Sequence, residues 1–287
     1  MSNSVLGSVI SLWRYPVKSM LGEELDAVEV TERGLAGDRA YALVDRASGK
    51  VASAKNPVKW GKLFGCRAAF VEAPRAGEPM PPVRITLPDG AIAGPDPGEI
   101  GGILSNLLDR TVDLLATAPE APSLEEYWPD IDGLAHRQAV TNEQIAGAAP
   151  GGTFFDYATA HLLTTATLHR LGELYPPGRF DPRRFRPNFV VEPASGAKGF
   201  VENHWVGRLL AIGDAVRLRV TDPCARCVMT TLAQGDLPHD PGILRTAVQH
   251  NRVLVPAAGQ ALPSVGVYAV IEQPGVVRRG DPIRLVD

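Results

Sequence analysis

Cysteine is scarce in this chain, with three residues in 287: Cys66, Cys224 and Cys227. Three are too few for a disulfide scaffold, and an odd number leaves at least one thiol unpaired. A reducing compartment follows as the simpler expectation, and with it a cytoplasmic location. An excess of one charge is also missing. The formal net charge of -3 creates no strong basic field, which excludes a general binder of nucleic acid duplexes. No apolar run approaches the roughly 20 residues of a membrane span. The segment Met1 to Ser19 lacks the basic start, apolar run and small-residue cleavage site of a secretory signal. There is no internal repeat and no low-complexity tract.

What remains is ordinary globular composition, 45% hydrophobic and 21% charged, in a length that suits one large or two medium domains. Short β-rich runs punctuated by Gly and Pro dominate. Strands are expected at Val5 to Leu12, Leu25 to Val30, Arg39 to Val44, Val83 to Leu87, Ala158 to Leu163 and Phe189 to Val191. Further strands fall at Leu209 to Ile212, Val216 to Val220, Gly266 to Ile271 and Pro282 to Val286. Helical spacing of Ile103, Leu104, Leu107 and Leu108 predicts a helix over Gly98 to Arg110. A second is expected from Thr165 to Leu174, and a third from Asp240-Pro241 to His250. The stretch Ala118 to Gly152, rich in Pro, Ala, Gly and acids, reads as a linker. The expected fold class is therefore α+β and mostly β, in two parts, 1–117 and 153–287, separated by 118–152.

Four constellations could carry chemistry. Pro223-Cys224-Ala225-Arg226-Cys227 follows a predicted strand, and a cation beside a thiol favours the thiolate, the soft ligand of a soft metal. Two inert buried cysteines or a redox dithiol fit the same residues. A structural zinc site would need further Cys or His ligands in a pattern that is absent. Arg183-Arg184-Phe185-Arg186-Pro187-Asn188 offers guanidinium forks for a small anion, or a solvated basic turn. Thr164-Thr165-Ala166-Thr167 lies where a strand passes into a helix, giving either an anion pocket or a simple N-cap. Tyr15-Pro16-Val17-Lys18-Ser19, paired with Gly37-Asp38-Arg39, places a lysine, a serine and an arginine after rigid turns.

These motifs, in this order and spacing, resemble the MOSC proteins, which include the mitochondrial amidoxime-reducing component and the bacterial hydroxylaminopurine-resistance reductases. Gly34-Leu35, Thr230-Thr231 and the ending Gly266-Val267-Tyr268, Pro274-Gly275, Gly280-Asp281-Pro282 belong to the same resemblance, which covers nearly the whole chain. It implies an N-terminal MOSC-associated β-barrel region, a C-terminal MOSC β-barrel, and a molybdenum–molybdopterin cofactor whose metal is ligated by Cys227. Cys224 would be a neighbour. Lys18, Ser19, Arg39, Thr164, Thr167, Arg186 and Asn188 would contact the phosphate and pterin of the cofactor. Arg226 would hydrogen-bond the dithiolene or orient Cys227. Asp222 would be either an acid or proton relay, or an exposed turn aspartate.

The implied activity is reduction of small N-hydroxylated substrates, in a monomer that engages neither membrane nor duplex. An alternative is a cofactor or sulfur carrier using Cys227. The pyridoxal-phosphate label attached to the family finds no lysine domain here. Two departures stand out. Lys55 occupies a position where relatives often have arginine, which keeps the charge and loses the fork. Thr164-Thr165-Ala166-Thr167 replaces a Ser-Glu-Ala-Ser pattern, keeping hydroxyls and losing the acid. The cysteines leave no set for an iron–sulfur cluster, and no Gly-x-Gly-x-x-Gly follows a strand. Electrons are thus expected from a separate protein.

Overall fold

The computed structural model describes residues 4–194 and 196–286. Seven strands close into a barrel. In spatial order they are Val5–Arg14, Phe189–Pro193, Ala160–Thr164, Gln260–Gln273, Val216–Ala225, Leu209–Ile212 and Pro282–Val286, the last pairing again with Val5–Arg14. All neighbours are antiparallel except Ala160–Thr164 with Phe189–Pro193. That parallel pair needs a crossover, and the helix Thr165–Leu174 supplies it. Closure leaves no exposed edge among the seven, and alternate side chains fill the interior. Val9, Leu12, Leu162, Phe189, Leu210, Leu218, Val267 and Ile283 are fully buried there. A register shift between Val9 and Ser11 lets both Val9 and Leu12 point inward despite their odd spacing. At Gly7 an added Cβ would meet Glu192 O at 2.2 Å, so only glycine allows the two strands to approach this closely.

The first barrel strand lies in a segment expected to belong to a separate N-terminal part. It is instead a stave of the barrel otherwise built from residues 160–286. Of the remaining N-terminal residues, Glu23–Leu25 pairs with the first strand and Ala27–Thr31 with Gly275–Arg278, while those from Tyr41 to Leu115 form smaller sheets around a second core. Ala42–Asp45 pairs with Val112–Leu115, and Val83–Thr86 pairs with Arg67–Phe70 on one side and Ile92–Ala93 on the other. The helix Pro97–Leu108 is N-capped by Asp96 and buries Ile100 and Leu104 in that core. Trp60, Phe70 and Leu114 line it.

The stretch read as a linker contains a hairpin, Ser123–Trp128 paired with Ala139–Gln144. Its base packs Leu124 and Ile145 against Ala42, Val44 and Phe154. Its tip packs Ile131 and Leu134 against Leu244 and Val248 of the helix Gly242–His250. The hairpin therefore bridges the N-terminal core and the barrel.

Candidate functional site

A cavity of about 360 Å³ opens where the hairpin crosses one end of the barrel. Lys18, Ser19, Arg39, Arg186, Arg226 and Cys227, all singled out from sequence, line it together. They come from three distant segments. Lys18, Ser19 and Arg39 follow or face the end of the first strand. Arg186 immediately precedes the strand Phe189–Pro193. Cys224 ends a strand that runs to Ala225, past its expected limit at Val220.

Three of the seven non-glycine residues with positive φ among the described residues line this cavity: Ser19 (64°), Arg39 (48°) and Arg186 (56°). Each such conformation costs about 1–3 kcal/mol and persists where surrounding contacts enforce it, commonly at ligand sites. Tyr15 organises two of them. The guanidinium carbon of Arg186 lies 4.1 Å from the centroid of its ring, and that of Arg39 lies 4.6 Å away. Arg39 also donates to Arg186 O at 3.3 Å and pairs with Asp38.

The cations differ in how their charge is met. Lys18 Nζ donates to Asp156 Oδ1 at 2.5 Å and to Phe154 O at 2.7 Å. Burial acts to lower its pKa, Asp156 opposes this, and the net result is a lowering. Lys55 donates to Glu126 at 3.0 Å. Burial acts against its charge, but Glu126 and Asp156 outweigh it and hold the ammonium well above the ordinary range. Arg186 is 7% exposed and has no salt bridge among the described residues. One of its nitrogens donates to Met20 O at 2.7 Å. Burial and the neighbouring Arg39 pull its pKa down to about 10. A buried cation without a carboxylate partner is expensive, and an anion in the cavity would relieve it.

Of the three cysteines, Cys66 and Cys224 are buried and only Cys227 is partly exposed. Burial pushes its thiol up to about 11, helped by Glu126 and opposed by Lys55 and Arg226. A thiol with so high a pKa is a poor free nucleophile at neutral pH, whereas a metal ion displaces the proton outright. Arg226 donates to Cys224 Sγ at 2.6 Å and to Phe185 O at 3.0 Å, so its partner is Cys224 rather than Cys227. Its Nε is buried with no partner among the described residues.

Four sequence-named residues do not line the cavity. Asn188 sits behind it, accepting from His161 N at 3.1 Å and donating to Asp38 Oδ2 at 2.9 Å. Asp222 is a buried strand residue, not an exposed turn aspartate. It accepts from Tyr157 Oη at 2.9 Å and from Ala257 N at 3.2 Å. Thr164 and Thr167 lie past the far end of the strand that begins beside His161. There Thr164 caps Thr167 N, and both hydroxyls donate to the buried Glu202, at 2.6 and 2.7 Å. The helix start therefore holds the protein's own carboxylate.

Sequence reasoning did not single out Asp156, Glu126 or His161, and named Tyr268 only as part of a motif; all four also line the cavity. Gly266 signals one of them. Its φ is +79°, and an added Cβ would meet His161 Nε2 at 2.2 Å. The resulting close approach leaves the His161 ring against Tyr268, with centroids 5.9 Å apart.

A family model described as "MOSC domain" matches residues 152–284, and one described as "MOSC N-terminal beta barrel domain" matches residues 6–58. The chain belongs to the MOSC-domain proteins and carries both of these regions. It is 26% identical over 306 residues to mitochondrial amidoxime-reducing component 1 of Mus musculus, covering 98% of this chain and 83% of that protein. It is likewise 26% identical over 310 residues to mitochondrial amidoxime reducing component 2 of Rattus norvegicus, covering 98% and 84%. Among solved structures, the YUAD protein from Bacillus subtilis aligns over 97% of this chain and 94% of its own, with 12% identity and a TM-score of 0.44. No helix of the described residues is long and apolar enough to cross a membrane.

Proposed function

We propose that this protein is a molybdenum-cofactor oxidoreductase that reduces N-hydroxylated small molecules with electrons delivered by a separate protein. The observation that carries the reading is the pairing, in one cavity, of a partly exposed cysteine with a buried arginine that has no carboxylate partner among the described residues. A thiolate suits a soft metal, and a guanidinium without a carboxylate counter-charge suits a phosphate or pterin edge. The names of the full-length relatives point to the same chemistry.

In this reading Cys227 ligates the metal, while Arg186, Arg39, Ser19 and Lys18 hold the anionic and pterin parts. When bound, the group supplies the two-electron centre at which an N–O bond is reduced to N–H and water. The chain's own residues set the surroundings. Asp156 fixes the Lys18 ammonium, Tyr15 fixes the two guanidiniums, and Arg226 fixes Cys224 beside the ligand thiol. Lys55 Nζ, kept protonated by Glu126, is a proton-bearing atom on the wall. Asp222, spent on Tyr157 and Ala257, takes no part.

An anaerobic assay of molybdenum-replete protein tests this. Reduced viologen dye should drive reduction of an N-hydroxylated substrate, whereas a nicotinamide alone should give no useful rate. Turnover with nicotinamide alone would refute the need for a partner. No turnover with dye, at full molybdenum occupancy, would leave Cys227 as a carrier's ligand.

A further inference from the structure

We infer that the hairpin loop after Ser123–Trp128 forms an aromatic mouth to the cavity and selects substrates whose N-hydroxyl group is carried on a flat aromatic body. The inference rests on the reductase reading for the reacting group, but not for the binding preference. Its basis is the make-up of the cavity opening. Lys18, Ser19 and Arg186 are buried, whereas His136 is exposed, and Trp128, Leu134 and Glu143 are half-buried. Aromatic and aliphatic surface therefore borders the opening, beside the Glu143 carboxylate.

The mouth is also held in place. Trp128 Nε1 donates to Thr141 Oγ1 at 2.8 Å, across the hairpin, and Thr141 in turn donates to Glu143 at 2.6 Å. The His136 ring meets the indole edge-on, with centroids 5.1 Å apart and planes at 70°. Arg252 donates to Gly133 O, and Ile131 and Leu134 pack on Leu244 and Val248. The indole is thus a fixed apolar surface with little rotamer freedom left to lose on binding. A ring sliding past Trp128 gains offset or edge-to-face contact that an alkyl group of few atoms cannot match.

The test compares benzamidoxime with acetamidoxime, which share the reacting group and differ in the body. Titration calorimetry on molybdenum-loaded protein without electron donor should show benzamidoxime binding about tenfold more tightly or better. Trp128→Ala should abolish most of that preference, and Trp128→Phe should keep it, with molybdenum content unchanged in both. With dye present, Trp128→Ala should raise KM for benzamidoxime by a much larger factor than KM for acetamidoxime. A binding ratio unmoved by Trp128→Ala overturns the aromatic mouth even if turnover is normal. A preference lost in Trp128→Ala but with no turnover in any form supports the mouth and sinks only the reductase reading.

Discussion

The two ends of the barrel treat positive charge in opposite ways. At one end the helix Thr165–Leu174 begins, and the partial positive charge of its free amides meets Glu202, a fully buried carboxylate held by two threonine hydroxyls. At the other end Arg186 is also buried, and it meets no carboxylate among the described residues. The first end holds the chain's own carboxyl group and is structural. The second keeps an unmet charge beside a thiol, as a site must if its anion comes from outside. Type of residue alone does not separate the two; the location of the counter-charge does.

The comparison breaks most sharply at the thiols. Cys227→Ala should lose essentially all molybdenum and activity, while Cys224→Ala keeps the metal and most of the activity. Metal analysis of both purified variants decides it, and equal loss would mean that the two sulfurs share the metal. Next in size are the charges. Arg186→Ala should weaken cofactor retention by more than tenfold, since each charge-assisted hydrogen bond is worth about 1.5–3 kcal/mol. It should leave the cofactor-free protein no less stable, because it removes an unpaired buried cation. Lys18→Ala should weaken retention less, as a point charge rather than a fork is lost. Thr164→Val and Thr167→Val should do the reverse. Molybdenum occupancy should hold while stability falls by about 1–3 kcal/mol, the cost of stranding a buried acceptor. A drop in occupancy for the threonine variants would erase the distinction between the ends.

The smallest expected effect is the difference in pH response. Burial raises the Glu202 pKa above its ordinary 4.5. Its contribution is full below 4.5 and is lost as pH rises through the raised value. Burial also acts to raise Asp156, but Lys18, Lys55 and Arg39 outweigh it and hold the carboxyl far below its ordinary 3.8. Its contribution is present above 3.8 and is lost as pH falls toward the depressed value. Thermal midpoints measured from pH 3 to 8 should therefore show Glu202→Gln gaining on the native protein as pH rises. Asp156→Asn should approach the native protein as pH falls. Parallel curves for both variants would contradict these assignments.

Much of this was legible in the sequence where local pattern and chemistry coincide. Leu209–Ile212 and Pro282–Val286 fall where expected, and the helix Thr165–Leu174 has the expected bounds. Lys18, Ser19, Arg39, Arg186 and Cys227 come together although up to 209 positions separate them. The hairpin Ser123–Gln144 was hidden because one of its two inward positions is Glu126, which pairs with Lys55. An inward carboxylate erases the alternation that marks a strand. Thr164 and Thr167 were placed at an anion site for a sound local reason, a helix start. The anion proved to be Glu202, 38 positions from Thr164, and no local pattern announces that contact. Asp156 stands alone in a loop, with nothing beside it in sequence to mark its partner Lys18, 138 positions away.

The stave formed by Val5–Arg14 bears on how the molecule comes together. It sits between Phe189–Pro193 and Pro282–Val286, so its two barrel neighbours lie far along the chain from it. Closing the ring pays the loop entropy of nearly the whole chain at once, which makes slow folding with a long-lived open intermediate the natural course. Until then, the apolar flanks that Val9 and Ile283 occupy stand open to pairing with another molecule. A fragment trimmed to residues 152–284 would carry that vacancy permanently, and aggregation rather than a smaller working domain is its expected fate. The same geometry sets Ser4 against Leu285, joined by a hydrogen bond of 3.1 Å. Splicing these neighbours with a short linker and reopening the chain at an exposed turn such as Asp89-Gly90 would convert the most distant pairing in the protein into a hairpin. Such a circular permutant should fold faster than the native order while keeping the same cavity.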